Sequence, residues 1–211
     1  MTGGMRAGHV GGTMKELKPW IGEPPHTTPP DTPGYRQVNH EKLNITKISI
    51  VGTILVPLWA IALVATVAAL GGPSSYETTF TFTTLILFVA LTVGVIVVHE
   101  IIHGVAAALL GTKPSFGIGP GFAYTTFLEP MKKSSYLIVG LAPLVVITLV
   151  TVVAAVVWPG IAGWMIVIGT INASGAIGDL WMTGRILRSP RRAMFYDLAD
   201  GFAVFAPDPA T

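Results

Sequence analysis

The chain of 211 residues is 51% hydrophobic and only 11% charged, with a mean hydropathy of +0.65. Because a soluble domain carries about 25% charged residues, we expect much of this surface to face lipid. The formal net charge of +2, without a basic stripe, excludes nucleic acid as a partner. The absence of cysteine excludes disulfides and thiolate ligands, so a metal would be bound through nitrogen and oxygen.

Four apolar segments follow one another along the chain, each long enough for the ~20 helical residues that cross a bilayer. They cover residues 48–70, 82–110, 136–158 and 161–184. Before them, residues 1–47 are rich in Gly, Pro and Thr, which predicts a flexible cytoplasmic tail. We therefore predict that residues 48–184 form a four-helix transmembrane domain.

Two regions outside these segments carry other patterns. Residues 115–127 are rich in Phe, Tyr, Thr and Gly, which predicts one or two short strands between the second and third spans. Residues 185–211 predict a short cytoplasmic extension, with one strand at residues 202–205. The predicted fold class is an all-α membrane protein with four transmembrane helices and a short β-hairpin-like loop.

The basic residues predict the orientation of these spans. All 13 Lys and Arg residues lie before the first span, between the second and third, or after the fourth. The positive-inside rule then places both termini and the central loop in the cytoplasm of a prokaryotic cell. The basic cluster after the fourth span could also bind anionic lipid, but the general rule favours topology signalling.

The four predicted spans contain four acids and histidines in all: His99, Glu100, His103 and Asp179. An ionisable group at bilayer depth costs about 2.5–3.5 kcal/mol on insertion scales. Four such groups without partners would cost on the order of 10 kcal/mol. Since zinc binding to structural sites in peptides provides roughly 10–16 kcal/mol, one shared Zn²⁺ ion could offset this cost.

The string HEIIH, residues 99–103, has the spacing that this chemistry needs. His99 and His103 are four apart, so a helix presents both imidazoles to one point. Glu100 lies about 100° around the helix, where it can reach a metal-bound water as a general base. A catalytic zinc ion has three protein ligands, so the motif requires one more.

Two acids are candidates for the third ligand. The third histidine of the metzincin pattern is missing, because Leu109 occupies its position. His103 and Asp179 each lie about 9–11 Å below the cytoplasmic ends of their helices, so the two share one depth. Glu129 would have to fold back from the central loop. The topology therefore favours Asp179 as the third ligand, and hydrolysis by a metal-activated water as the chemistry.

Asn172 shares one helical face with Asp179, because the two are seven residues apart. Its amide could bind a ligating side chain, or it could donate to the oxyanion of a substrate. An interhelical hydrogen bond without a chemical role would use the same position. The sequence leaves these alternatives open.

HEIIHG at residues 99–104, the aromatic-rich loop, Pro143, and NASGAIGD at residues 172–179 together resemble the family of prokaryotic membrane proteins named Putative zincin peptidase. That family is itself similar to the site-2 proteases, which are intramembrane zinc metalloproteases. The sequence departs from the site-2 pattern, because no proline accompanies the aspartate and no PDZ-like domain is present.

The resemblance implies a zinc metalloprotease that cuts membrane proteins or peptides. It implies His99, His103 and Asp179 as zinc ligands and Glu100 as the general base. In the site-2 family a strand at membrane depth occurs beside the site, and here an edge strand of residues 115–127 could pair with an unwound substrate. The alternative for that loop is an ordinary cytosolic hairpin.

Two other functions fit parts of the pattern. A metal-binding membrane protein without hydrolytic activity would use the same ligands, but a carrier needs polar sites across the bilayer, and the outer halves of these spans have none. A proton-coupled transporter could use a His–Glu–Asp relay, but it would not require the His-Glu-x-x-His order. The order of the motif favours the protease.

Overall fold

The structure is a computed structural model, and it describes residues 20–21, 25–76, 81–119, 122–198 and 201–209. Its helices are α1 (Ile45–Ala69), α2 (Phe82–Leu109), α3 (Lys133–Val157), α4 (Ala162–Gly175) and α5 (Ile177–Arg188). Its strands are β1 (Trp20–Ile21), β2 (Tyr35–Lys42), β3 (Pro114–Gly119), β4 (Phe122–Phe127), β5 (Met131–Lys132), β6 (Met194–Leu198) and β7 (Gly201–Pro207).

Side-chain caps explain where the first two long helices begin. Asn44 accepts a hydrogen bond from the Lys47 backbone N–H at the start of α1. Thr81 and Thr84 form a reciprocal capping box at the start of α2. Both arrangements satisfy backbone donors that the first helical turn leaves without partners.

Among the described residues, three helices are long and apolar enough to cross a membrane: α1, α2 and α3. The fourth predicted span, residues 161–184, is not one continuous helix. It consists of α4 and α5, which meet at Ala176 with a bend of 46°, so the count reaches four only if this pair is one span. Glycine weakens a helix by its conformational freedom, and Gly175 and Gly178 flank the break.

Helix packing leaves a gap between the first two helices. α1 packs against α4, where a Cβ atom at Gly52 would lie only 2.6 Å from the Ser174 carbonyl oxygen. α3 contacts α2, α4 and α5. Within the described part of the chain, no Cα atom of α1 comes within 8 Å of a Cα atom of α2. The helices α1 and α2 therefore do not pack directly against each other.

The expectation of an all-α fold is incomplete, because the strands form two antiparallel sheets. The first has the order β1-β3-β4, and its hairpin of β3 and β4 confirms the strands predicted in the central loop. The second has the order β2-β7-β6-β5. β7 is longer than the single strand predicted near the C-terminus, and its partner β6 was not predicted.

β2 lies within the segment expected to be a flexible tail. It pairs with β7 from Tyr35 opposite Pro207 to Lys42 opposite Gly201. Gly201 has a φ of +154°, and a Cβ atom there would collide with the Glu41 carbonyl group. The close approach of these strands thus requires glycine at this position.

An aromatic core joins the four-stranded sheet to the ends of α3 and α5. Its buried side chains include Tyr136, Ile186, Phe195 and Phe202. Within it, Asp197 of β6 accepts hydrogen bonds from the Tyr136 hydroxyl and, at 3.1 Å, from the Phe127 backbone N–H. These bonds tie β4 of the other sheet to α3 and β6, and they position β4 beside α2.

Candidate metal centre

The two motif histidines lie on one face of α2, and both are buried. Their ring centroids are 4.9 Å apart and their planes meet at 74°. His99 Nδ1 lies 2.9 Å from Asn172 Oδ1, and His103 Nδ1 lies 2.9 Å from the Val139 carbonyl oxygen. Since both partners are acceptors, Nδ1 carries a proton in each ring, so the lone pair of the neutral imidazole is on Nε2.

Both Nε2 atoms face the carboxylate of Asp179, which is buried in the first turn of α5. His99 Nε2 lies 3.0 Å from Oδ2, and His103 Nε2 lies 3.4 Å from Oδ1. Two nitrogen lone pairs facing a carboxylate repel unless a positive charge lies between them. The three residues offer ligand atoms that all lie within 4.8 Å of one another.

This donor set fits zinc. Imidazole nitrogen and carboxylate oxygen are zinc ligands, and three protein ligands with a remaining open position are typical of a catalytic site. Protonated Nδ1 atoms bound to fixed oxygen atoms are the usual outer support of zinc-binding histidines. The alternative ligand Glu129 is exposed in the loop before β5, outside this group of three.

Glu100 lies half-buried beside the histidines on α2. Thr125 of β4 lies next to it, with Oγ1 2.8 Å from Glu100 Oε2 and 3.0 Å from the Glu100 carbonyl oxygen. A hydroxyl has one proton, so Thr125 donates to one of these acceptors at a time. This contact fixes the carboxylate of Glu100 while leaving its other oxygen atom available.

A cavity of about 580 Å³ contains all the predicted site residues. Its walls come from the N-terminal end of α1, the C-terminal half of α2, β4, α3, the α4–α5 break and the β6–β7 hairpin. Residues that line it include Ile48, Val95, His99, Glu100, His103, Thr125, Asn172, Asp179 and Asp197. The candidate metal centre is therefore accessible from a space large enough for a polypeptide segment.

One edge of β4 faces this cavity. Phe127 of β4 lies opposite Pro114 of β3, which has no N–H group to donate to it. The N–H of Phe127 points away from β3 and donates to Asp197. Because orientation alternates along a strand, the N–H and C=O groups of Ala123 and Thr125 also point away from β3. Ala123 and Thr125 both line the cavity.

Sequence reasoning missed Asp197, which lines the cavity. Burial raises the pKa of the Asp197 carboxyl to about 6, against the lowering effect of its hydrogen bonds. An acid within the string MFYDL, residues 194–198, was a weak signal for a buried group. Thr125 and Val139 were also missed, because the sequence cannot show which hydroxyl or carbonyl group faces a ligand.

Comparison with known sequences adds one match. The sequence model of a family described as "Putative zincin peptidase" matches residues 92–194, a stretch that includes the HEIIH motif, Pro143, Asn172 and Asp179. No curated protein and no solved structure matches the chain. The match supports a zincin-like family for this chain, and the description of that family suggests a metallopeptidase and implies zinc.

Proposed function

We propose that the protein is a membrane-embedded zinc metallopeptidase that hydrolyses peptide bonds of membrane or membrane-proximal substrates. The observation that carries this proposal is the convergence of His99 Nε2, His103 Nε2 and the Asp179 carboxylate on one point, beside Glu100. The side chains of all three ligands are buried.

The division of roles follows from the contacts. His99, His103 and Asp179 would hold the zinc ion, which when bound polarises a carbonyl group and lowers the pKa of water. Glu100 accepts the proton of the attacking water and passes it to the leaving amine. Thr125 keeps the Glu100 carboxylate oriented for this transfer. The buried walls of the cavity limit access of bulk water.

The apolar surface supports a position within the membrane. Many large hydrophobic side chains on α1, α2 and α3 are exposed, among them Ile54, Ile61, Leu85 and Leu149. A soluble protein rarely exposes apolar patches of this extent. With the positive-inside rule, this surface supports cytoplasmic termini and an active site near the cytoplasmic leaflet.

A substrate would bind as an added strand on the open edge of β4. Ala123 and Thr125 offer backbone donors and acceptors towards the cavity, and Thr125 also contacts Glu100. An extended segment paired there would present its peptide bonds to the motif helix. The gap between α1 and α2 offers a lateral path from the membrane, because the cavity is lined by Ile48 on one side and Val95 on the other.

Metal content of purified variants tests the proposal. We expect stoichiometric zinc in the wild type, loss of zinc in Asp179→Ala, and retention in Glu100→Gln. Glu129→Ala is the matched control, since it removes an exposed acid that was the alternative ligand, and it should retain zinc. Full zinc in Asp179→Ala would contradict the ligand assignment, and little zinc in every variant would favour a proton-coupled transporter.

Cleavage is measured separately. Wild-type protein and Glu100→Gln are reconstituted with single-span membrane substrates, and the products are identified by mass spectrometry. The Glu100→Gln variant should retain zinc and lose cleavage, because an amide cannot accept the proton of water. Equal cleavage by both proteins would exclude Glu100 as the general base.

A further inference from the structure

Pro143 lies in the middle of α3, four residues after Val139. In a regular helix, the N–H of residue 143 would donate to the carbonyl of residue 139. Proline has no N–H, so this bond cannot form. The Val139 carbonyl oxygen instead lies 2.9 Å from His103 Nδ1.

The carbonyl of Pro143 itself supports the other motif histidine. Asn172 Nδ2 lies 3.4 Å from the Pro143 carbonyl oxygen, and Asn172 Oδ1 lies 2.9 Å from His99 Nδ1. This weak contact turns the amide so that its oxygen faces His99. Pro143 and Asn172 are both almost completely buried, so water does not replace these contacts.

We propose that Pro143 is a positioning residue of the metal centre. Its missing N–H leaves the Val139 carbonyl to His103, and its own carbonyl orients Asn172 towards His99. Both rings are thereby held with Nδ1 protonated and Nε2 directed at Asp179. This inference rests on the proposed zinc function, and it assigns to α3 a role in ligand orientation beyond packing.

The chain contains a matched control in Pro57 of α1. Pro57 is also inside a long apolar helix and also deprives a carbonyl, that of Thr53, of its helical partner. It is exposed and does not line the cavity. Pro57→Ala therefore makes the same chemical change away from the metal centre.

The experiment compares Pro143→Ala and Pro57→Ala in the full-length protein in detergent. In Pro143→Ala the new N–H competes with His103 for the Val139 carbonyl. Loss of such an outer contact typically weakens metal affinity about 10–100-fold. We expect this loss in zinc affinity, measured by chelator competition, together with a shifted absorption spectrum of the Co²⁺-loaded variant. Pro57→Ala should match the wild type in both.

Stability separates orientation from packing. Alanine favours a helix more than proline does, so zinc-free Pro143→Ala should unfold at a temperature no lower than that of the zinc-free wild type. A Pro143→Ala variant that folds and binds zinc within twofold of the wild type would overturn the inference. If the wild type itself binds no zinc, the proposed function fails instead.

A measurement on the wild type keeps the inference testable if Pro143→Ala does not fold. Nuclear magnetic resonance of ¹⁵N-histidine-labelled, zinc-loaded protein reports which ring nitrogen carries the proton. We expect a hydrogen-bonded Nδ1 proton on His103 and on His99. A His103 ring whose Nδ1 carries no hydrogen-bonded proton would overturn the role of the Val139 carbonyl and with it that of Pro143.

Discussion

Thr125 Oγ1 lies 2.8 Å from Glu100 Oε2, and this contact joins the cavity edge of β4 to the motif helix. The two residues are 25 positions apart and belong to different elements. The strand that would bind a substrate is therefore in direct contact with the acid that would accept the proton of water. Any shift of β4 would change the orientation of Glu100.

Thr125→Val removes the hydroxyl while keeping the shape of the side chain. Because a hydrogen bond to a charged group contributes about 1.5–3 kcal/mol, we expect kcat/KM to fall about tenfold or more. Zinc content should stay unchanged, since Thr125 does not contact the ligands. Thr125→Ser keeps the hydroxyl and should restore most of the activity. Full activity in Thr125→Val, or loss in Thr125→Ser alone, would show that the methyl group matters and the hydrogen bond does not.

Asn172 is expected to orient His99. Asn172→Ala removes the acceptor of His99 Nδ1, which should weaken zinc affinity about 10–100-fold. Asn172→Asp keeps an acceptor and should bind zinc more tightly than Asn172→Ala, as measured by chelator competition. Unchanged zinc affinity in Asn172→Ala would contradict this role. Full zinc binding with lost cleavage in both variants would instead favour donation to the oxyanion.

Much of the metal centre could be predicted because it depends on short-range geometry. The spacing of His99 and His103 fixes two ligands on one helix, and a rise of ~1.5 Å per residue places Asp179 at the same depth. The structure brings these three residues together. Both steps use only helix geometry and the cost of ionisable groups in lipid.

The parts that were missed depend on contacts that the sequence does not encode locally. β2 is an edge strand with mostly exposed side chains, so its sequence YRQVNHEK lacks an alternating apolar pattern. Its partner β7 is more than 150 residues away along the chain. No proline marks the break at Ala176, and the sequence stays apolar on both sides of it. Hydropathy therefore predicted one continuous span across the break.

Asp197 predicts how stability depends on pH. Its pKa in the folded protein is about 6, above the ordinary value, so folding favours its protonated form. The resulting stabilisation is fully present below pH ~4 and is lost as the pH rises through about 6. The Asp197→Asn variant has no titratable group at position 197. The stability of this variant relative to the wild type should therefore increase by about 2–3 kcal/mol between pH 4 and pH 7.

Thermal unfolding in detergent at several pH values measures this difference. Titration of the motif histidines contributes to both proteins, so the comparison removes the part of it that does not depend on the charge of Asp197 beside His103. A difference between Asp197→Asn and the wild type that does not change with pH would show that the Asp197 carboxyl titrates normally. The absolute difference at one pH is less informative, because the asparagine amide also changes the hydrogen bonds to Tyr136 and Phe127.

Gly104 of α2 lies against the ring of Phe116 in the β3–β4 hairpin. A Cβ atom at Gly104 would collide with the ring of Phe116, which pairs across the hairpin with Thr125. In Gly104→Ala the Phe116 ring has to turn away, so this variant should be less stable than Gly94→Ala, and cleavage should fall if the ring takes the hairpin and Thr125 with it. Gly94→Ala is the matched control on α2, since a Cβ atom there meets nothing within 4 Å. It should stabilise the helix by about 0.8–1 kcal/mol and leave cleavage unchanged. Equal thermal stability and turnover in both variants would show that the hairpin does not depend on this contact.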